Sequence, residues 1–312
     1  MKPTHNWISH SLLSLTLFAI VSLGQPSHSE GAACCMSAAV NGVGRLKNWE
    51  KLAFGLRTTV LGGVGYWDLK GQWQAHSDYD DVEWRSEVWG LFGINRKASM
   101  FFRIPWSINY RRASSLIDWG GFVSDIQLGG RYEILSIGEL LHVPAIAFNL
   151  SVTAPTGRGT HQTTHVLAAD VTSRGAWVLN AGFAFEKTFY PGFVRWDTGV
   201  QIPLPQYRDD IEQHQRFGVS FVNTLSGGIE IADVLVLAAL VTLLWEDSLR
   251  INDVVQENSH RLDLSMGLSM AWSFHPHWSL IASINTGVFA GQMGFNQMGR
   301  ITGSLNLRYG YF

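Results

Sequence analysis

The sequence predicts an all-β fold: a transmembrane antiparallel up-and-down β-barrel of about 12 strands, following a cleaved signal peptide. Three observations predict it. Large apolar residues alternate with small or polar ones at period two along most of the chain. The connections between these segments alternate short and long. Beyond the N-terminus, no segment is apolar for long enough to cross a bilayer as a helix; Ile231 to Trp245 comes nearest, and it contains Asp233 where about 20 apolar residues are needed. Composition agrees: only 15% of the 312 residues are charged, while Gly (32), Trp (13) and Phe (17) are plentiful. A soluble domain devotes about a quarter of its residues to charge. The net charge of -2, with no run of Lys or Arg, excludes the electrostatic footprint of a nucleic-acid binder.

The first element is the leader. Lys2 supplies its positive end, Leu12 to Leu23 an apolar run, Gly24 to Pro26 a break, and Ser27 to Ser29 small residues suited to cleavage. That apolar run is too short to span ~30 Å of hydrocarbon as a helix. Residues 1–29 are therefore expected to be removed, 30–50 to form a periplasmic N-terminal segment, and 51–312 to form the barrel. Cys34 and Cys35, the only cysteines, follow the leader. Cys34 after Ala32-Ala33 suits acylation, although Gly31 stands where the lipoprotein box wants an aliphatic residue. A vicinal or intermolecular disulfide in the oxidising periplasm and a pair of free thiols are the other two fates.

Twelve strand segments follow, near 51–62, 82–95, 99–111, 121–134, 143–154, 175–187, 193–203, 215–230, 234–246, 260–273, 277–289 and 300–312. An even number is what a bacterial single-chain barrel requires. In the tenth, Leu262, Leu264, Met266, Leu268, Met270 and Trp272 alternate with Asp263, Ser265, Gly267, Ser269 and Ala271. In the third, Met100, Phe102, Ile104, Trp106, Ile108 and Tyr110 alternate with Phe101, Arg103, Pro105, Ser107, Asn109 and Arg111. In the fourth, Phe122, Ile126, Leu128 and Tyr132 form the apolar set. The eighth and ninth are the least defined, because Val234 to Trp245 is apolar on both faces. Short connections near 95–98, 135–140, 187–192, 230–233 and 274–277 belong to the periplasmic side. The long ones, 63–81, 112–120, 155–174, 204–214, 247–259 and 290–299, belong outside, open to the medium. Trp272, Trp278, Tyr309, Tyr311, Phe183 and Phe185 then fall at the inner rim and Trp84, Trp106, Tyr110, Trp177 and Trp245 at the outer one, as interfacial belts should.

With the apolar set facing lipid, the charges fall inside. An Arg or Lys facing lipid at the midplane costs roughly 2–4 kcal/mol, so their concentration on one parity marks a polar interior. The lumen and selectivity candidates are Arg57, Arg85, Glu87, Arg103, Arg111, Asp125, Arg131, Glu133, Arg195 and Asp197. Glu83, Asp263 and Arg308 share their parity, and Arg131 and Glu133 are placed to pair with Arg103 and Arg111 from the adjoining strand. Trp89, Leu91 and Phe101 also point inward and narrow the bore. Two functions are open: passive passage of small solutes through a water-filled lumen, or a scaffold or adhesin whose charges seal the barrel and whose external loops act. A barrel hydrolase is the third and weakest. His161 and His165 lie in a loop without a general base between them, where they read as two solvated side chains. Ser259 and His260 are strand neighbours that point to opposite faces. No cofactor is expected.

Three stretches carry a family resemblance. Gly121 to Tyr132 (Gly-Phe-Val-Ser-Asp-Ile-Gln-Leu-Gly-Gly-Arg-Tyr), Ala154-Pro155-Thr156-Gly157-Arg158 and the aromatic C-terminus Tyr309-Gly310-Tyr311-Phe312 resemble the outer-membrane porin family associated with phenol meta-degradation pathways. Phe312 departs from it, lying one step out of phase with Leu307, Tyr309 and Tyr311. The resemblance implies a bacterial outer-membrane location among lipids and lipopolysaccharide, and engagement of the barrel-assembly machinery through the C-terminal strand. It does not name the solute.

Overall fold

The structure is a computed structural model that describes residues 44–312 except 48, 76–78, 141, 209–211, 232–233, 290–293 and 296. The leader, Cys34 and Cys35 lie outside the described residues. Twelve antiparallel staves form a closed barrel. They are β1 (Leu52–Trp67), β2 (Tyr79–Gly93), β3 (Ala98–Ala113), β4 in two pieces (Leu116–Val123 and Ile126–Leu135), β5 (Ala145–Ala154) and β6 (Val178–Phe189). The second half comprises β7 (Gly192–Pro203), β8 (Ser220–Ile231), β9 (Leu235–Glu246), β10 (Arg261–His275), β11 (Trp278–Gly287) and β12 (Gln297–Tyr311). Each pairs with its sequence neighbours, and β1 pairs with β12 from Leu52↔Tyr311 to Trp67↔Gln297. Closure removes both sheet edges and pairs the backbone polar groups between strands, which is what a β-structure in lipid needs.

Period two sets which side each residue takes. Leu268 is 62% exposed on the outer wall while its neighbour Ser269 is 5% exposed inside. Leu56, Val88, Ile104, Leu128, Leu150, Leu225, Val241, Ile284 and Leu305 continue that exposed apolar band around the barrel. A band of this extent is not a water-facing surface; it is a lipid face. Aromatic contacts lie at its margins, Trp278 on Tyr309 at 4.9 Å on one side and Tyr110 on Trp119 at 4.7 Å on the other.

The structure departs from expectation in four places. The connection at 112–120 is not long: Ala113 pairs with Leu116, and the turn is Ser114-Ser115, with Ser114 at φ 53. A bulge breaks β4, because residues 124–126 face only 104 and 105 on β3, between the pairs Trp106↔Val123 and Arg103↔Gln127. The extra residue reverses the alternation, so Ile117 and Trp119 face out above it and Leu128 and Tyr132 below. Phe122 therefore takes the inner parity instead of the lipid set, with the Arg158 guanidinium 5.0 Å over its ring. Third, β8 starts at Ser220 instead of 215, because Gln213–Arg216 peels away to join Gln206–Arg208, Arg250–Ile251 and Val254–Val255 in a separate sheet built from two outer loops. Fourth, the loop after β5 turns back into the barrel. The ambiguous ninth strand settles with Val236, Ala238 and Leu240 inside and Leu237, Val241 and Leu243 outside.

Candidate functional site: the lumen

The inward parity of β1–β4 and β6–β7 carries most of the charge. On the first three staves Glu87 sits between two guanidiniums, Arg57 at 3.0 Å and Arg103 at 2.5 Å. Arg103 continues to Gln127 at 3.1 Å, and Gln127 donates to Ser151 at 2.8 Å. On β7 Arg195 grips Asp197 with two bonds of 2.7 Å and donates to Glu186 of β6 at 3.1 Å. These groups are almost wholly buried: Glu87, Arg195 and Glu186 are 2–4% exposed. Stranding one partner of such a pair typically costs about 3–5 kcal/mol, so each carboxylate holds its arginines in one geometry.

The remaining candidates divide between the bore and its outer mouth. Arg131 and Glu133 of β4 do not reach Arg103 or Arg111; they face each other at 3.8 Å. Arg85 is half exposed and bonds Glu83 of its own strand at 2.5 Å. Arg111, near the outer end of β3, pairs with Asp81 at 3.3 Å, and Arg300 reaches the same carboxylate at 3.1 Å. Asp125, in the β4 bulge, accepts the Gly157 amide at 3.1 Å. The structure thus brings together Arg57, Glu87 and Arg103, and separately Arg195 and Asp197, while Arg85, Arg111 and Asp125 stand apart from both groups.

Two elements inside the barrel were not anticipated. One is the described part of the segment assigned to the periplasm. Residues 44–47, 49 and 50 run inside the periplasmic end, where Glu50 pairs with Arg308 of β12 (Nη1 at 2.9 Å) and Arg45 reaches Glu186 of β6 at 3.7 Å. β12 and β6 lie on opposite sides of a twelve-stave ring, so this strap crosses the bore. Leu46 packs with Phe101 on the buried cluster of Ala53, Trp89 and Leu91. Trp89, wholly buried, also donates to Asn306 at 3.0 Å. Gly55 leaves room for it: a Cβ there would lie 2.6 Å from the indole.

The second element is the loop at 155–177, which lies against the inner wall of β3 and β4. Asn109 donates to the Ala169 carbonyl at 2.7 Å, and Arg111 donates to the carbonyls of Leu167 and Ala168. Asp118 accepts the Leu167 amide at 2.9 Å and meets His165 at 2.6 Å. Gly120 permits the approach, since a Cβ would sit 2.5 Å from the Asp170 nitrogen. From there the loop reaches β9, where Arg174 makes a bidentate pair with Glu246 at 2.6 and 3.0 Å. Asp170 is buried, which raises its pKa, but Thr163, Arg158 and the Thr164 amide outweigh this and hold it at about 2. The hydrogen bond to Asp118 raises the His165 pKa. His165 is therefore an anchor, not a freely solvated loop histidine.

Two of the cavities among the described residues lie on the inner wall. One of about 380 Å³ touches Gly44 of the strap and is lined by Arg57, Arg103, Arg131, Arg195 and side-chain amides. The other, about 560 Å³, lies along β1 and β10–β12 beside Arg261, Asp263 and Arg300. The parity of Arg300 was readable from Arg308 on the same strand, and that of Glu186 from the neighbouring phenylalanines. Nothing in the alternation flagged Arg45 or Glu50, which precede the first strand.

This architecture is that of a known channel. A solved outer-membrane channel from Pseudomonas putida F1 superposes with a TM-score of 0.70 over 84% of this chain and 96% of that one, at 11% identity. The NanC porin (TM-score 0.49, 10% identity, 82% and 98% covered) and the translocator domain of the autotransporter NalP from Neisseria meningitidis (0.45, 12%, 97% and 96%) match more loosely. No protein-family model and no curated protein matches the chain. The chain has the fold of an outer-membrane barrel channel.

Proposed function

We propose that this protein is a non-enzymatic channel of the bacterial outer membrane for passive passage of small solutes, held closed at its periplasmic end by residues 44–50. One observation carries the reading: a polar, arginine-lined cavity lies inside a lipid-facing barrel and ends on a short strap, not on the wall itself. A structural barrel has no need of such a cavity over a separable closure. Removal of residues 1–29, the periplasmic placing of the N-terminal segment 30–50, and assembly through the C-terminal strand among lipopolysaccharide belong to the same proposal. So does membership of the phenol-pathway porin family, which rests on Gly121 to Tyr132, Ala154 to Arg158 and the C-terminus alone.

Planar-bilayer recording of the full-length protein tests it. The intact barrel should show low or intermittent current. The double variant Arg45→Gln/Glu50→Gln, which frees the strap at both ends, should show larger steady conductance with unchanged heat-modifiable migration. Silence from both proteins would favour the scaffold or adhesin reading, for which the sheet built from outer loops is the working surface.

A further inference from the structure

We infer that the cavity of about 380 Å³ is a binding site for a small hydroxyl-bearing organic monocarboxylate, with Arg131 as the residue that takes the carboxylate. This rests on the channel reading and adds the chemical class of its solute. The cavity wall carries the charges of Arg57, Arg103, Arg131, Arg195 and Asp197; with their ion-pair partners Glu87, Glu133 and Glu186, and Arg45 on Glu186, the set holds five guanidiniums and four carboxylates, an excess of one positive charge. That balance suits a single negative charge better than a doubly charged phosphate.

The excess has an address. Arg57 and Arg103 each lie within 3.0 Å of Glu87, and Arg195 holds Asp197 and Glu186. Arg131 differs. Its side chain is 9% exposed, Glu133 comes no nearer than 3.8 Å, and its Nε has no hydrogen-bond partner among the described residues. A buried guanidinium in that state lacks the charge-assisted bonds that normally offset its desolvation. A carboxylate fits the guanidinium fork with two parallel N–H···O bonds. The rest of the wall suits a polar body: Asn149, Asn180 and Gln201 line it as amide donors and acceptors, with the Phe101 ring as an apolar surface. Hydroxyls match the amides, and carbon–hydrogen faces match the ring.

Calorimetric titration of the folded full-length barrel in detergent tests the assignment, with gluconate as the probe. Sorbitol serves as the uncharged polyol of equal length, and inorganic phosphate as the competing anion. Gluconate should bind, sorbitol at least tenfold more weakly, and phosphate no better than sorbitol. Arg131→Gln should weaken gluconate at least tenfold, whereas Arg300→Gln, in the other cavity, should leave it unchanged. If Arg131→Gln does not fold, Arg131→Lys keeps the charge, loses the fork and should still weaken binding severalfold. Gluconate bound no better than sorbitol, or equally by the Arg131 variants, overturns the site. Phosphate bound as tightly as gluconate overturns the carboxylate assignment. No current is needed, so a barrel that binds gluconate yet never conducts refutes the channel reading alone, and one that conducts without binding refutes this site alone.

Discussion

The two halves of the bore are built from the same alternating pattern and end up as different materials. Towards the periplasm the inward residues pack as a protein core: Ala53, Trp89, Leu91, Ala271 and Ile281 are 0–2% exposed, and Glu87, Arg195 and Arg308 are each 2% exposed. Towards the outside burial is uneven: Asp81, Ser107 and Asn109 are 2–5% exposed where the loop at 155–177 lies on the wall, whereas the side chains of Arg85 and Arg300, which share Glu83, are 46% and 38% exposed. Parity decides only that a side chain points inward. Whether it then meets water or protein depends on what else enters the barrel. The strap packs against Phe101 and the Trp89 cluster and leaves the 380 Å³ cavity beside Gly44, while the 560 Å³ cavity lies along β1 and β10–β12 by Arg300.

The largest expected effect is a charge deletion in the packed half. Glu87→Gln leaves Arg57 and Arg103 facing each other without their shared carboxylate, and should lower stability by about 3–5 kcal/mol in urea unfolding of the reconstituted barrel. Arg85→Gln, two residues along on the same stave but half exposed, should cost no more than about 1 kcal/mol. Equal losses would erase the distinction between the halves.

Leu268→Arg comes next. A charge on the lipid face at mid-strand should cost roughly 2–4 kcal/mol and lower the yield of heat-modifiable barrel. Its neighbour does not offer the safe site that parity alone suggests. Ser269 is buried in the packed half, so Ser269→Arg should also lose stability, by about 1–3 kcal/mol from overpacking. Ser265→Arg, on the same stave beside the 560 Å³ cavity, should be tolerated. Wild-type yield from Ser269→Arg would mean that the packed half is hollow.

The smallest effect is a pH dependence of the loop anchor. Because Asp118 raises the His165 pKa in the folded protein, the contact is fully present below the unfolded histidine pKa and is lost as pH rises through the raised value. The protection of the Leu167 amide against hydrogen exchange, taken relative to its intrinsic rate at each pH and tied to the same carboxylate, should fall across that upward step. His165→Gln should remove the step. Protection that stays level or rises across that range would break the assignment.

Much of this was legible in the sequence. Period two located all twelve staves, because a strand with lipid on one side and lumen on the other must sort its side chains strictly. It failed where something other than the bilayer shapes the chain. One extra residue at Ser124-Asp125 sent Phe122 to the other parity. Gln213–Arg216 left its stave because two outer loops pair with one another. Arg131 could be placed inward from its neighbours, but not its lack of a close partner, since that depends on where Arg45, Glu133 and Glu186 come to rest. The strap left no signal at all: Arg45 to Glu50 has no period, and only the finished barrel gives it a counter-surface.

The seam between β1 and β12 carries a consequence for biogenesis. Glu50 and Arg308 are separated by 258 positions, and Trp89 and Asn306 by 217. Neither tie can form until the last stave has been made and has paired with the first. Contacts of such long sequence separation come late in folding, so the strap can enter only a barrel that has already closed. A chain truncated before Asn306 would leave the Trp89 indole without its acceptor and Glu50 without its counter-ion, so the unfinished product would carry both as exposed, unsatisfied groups.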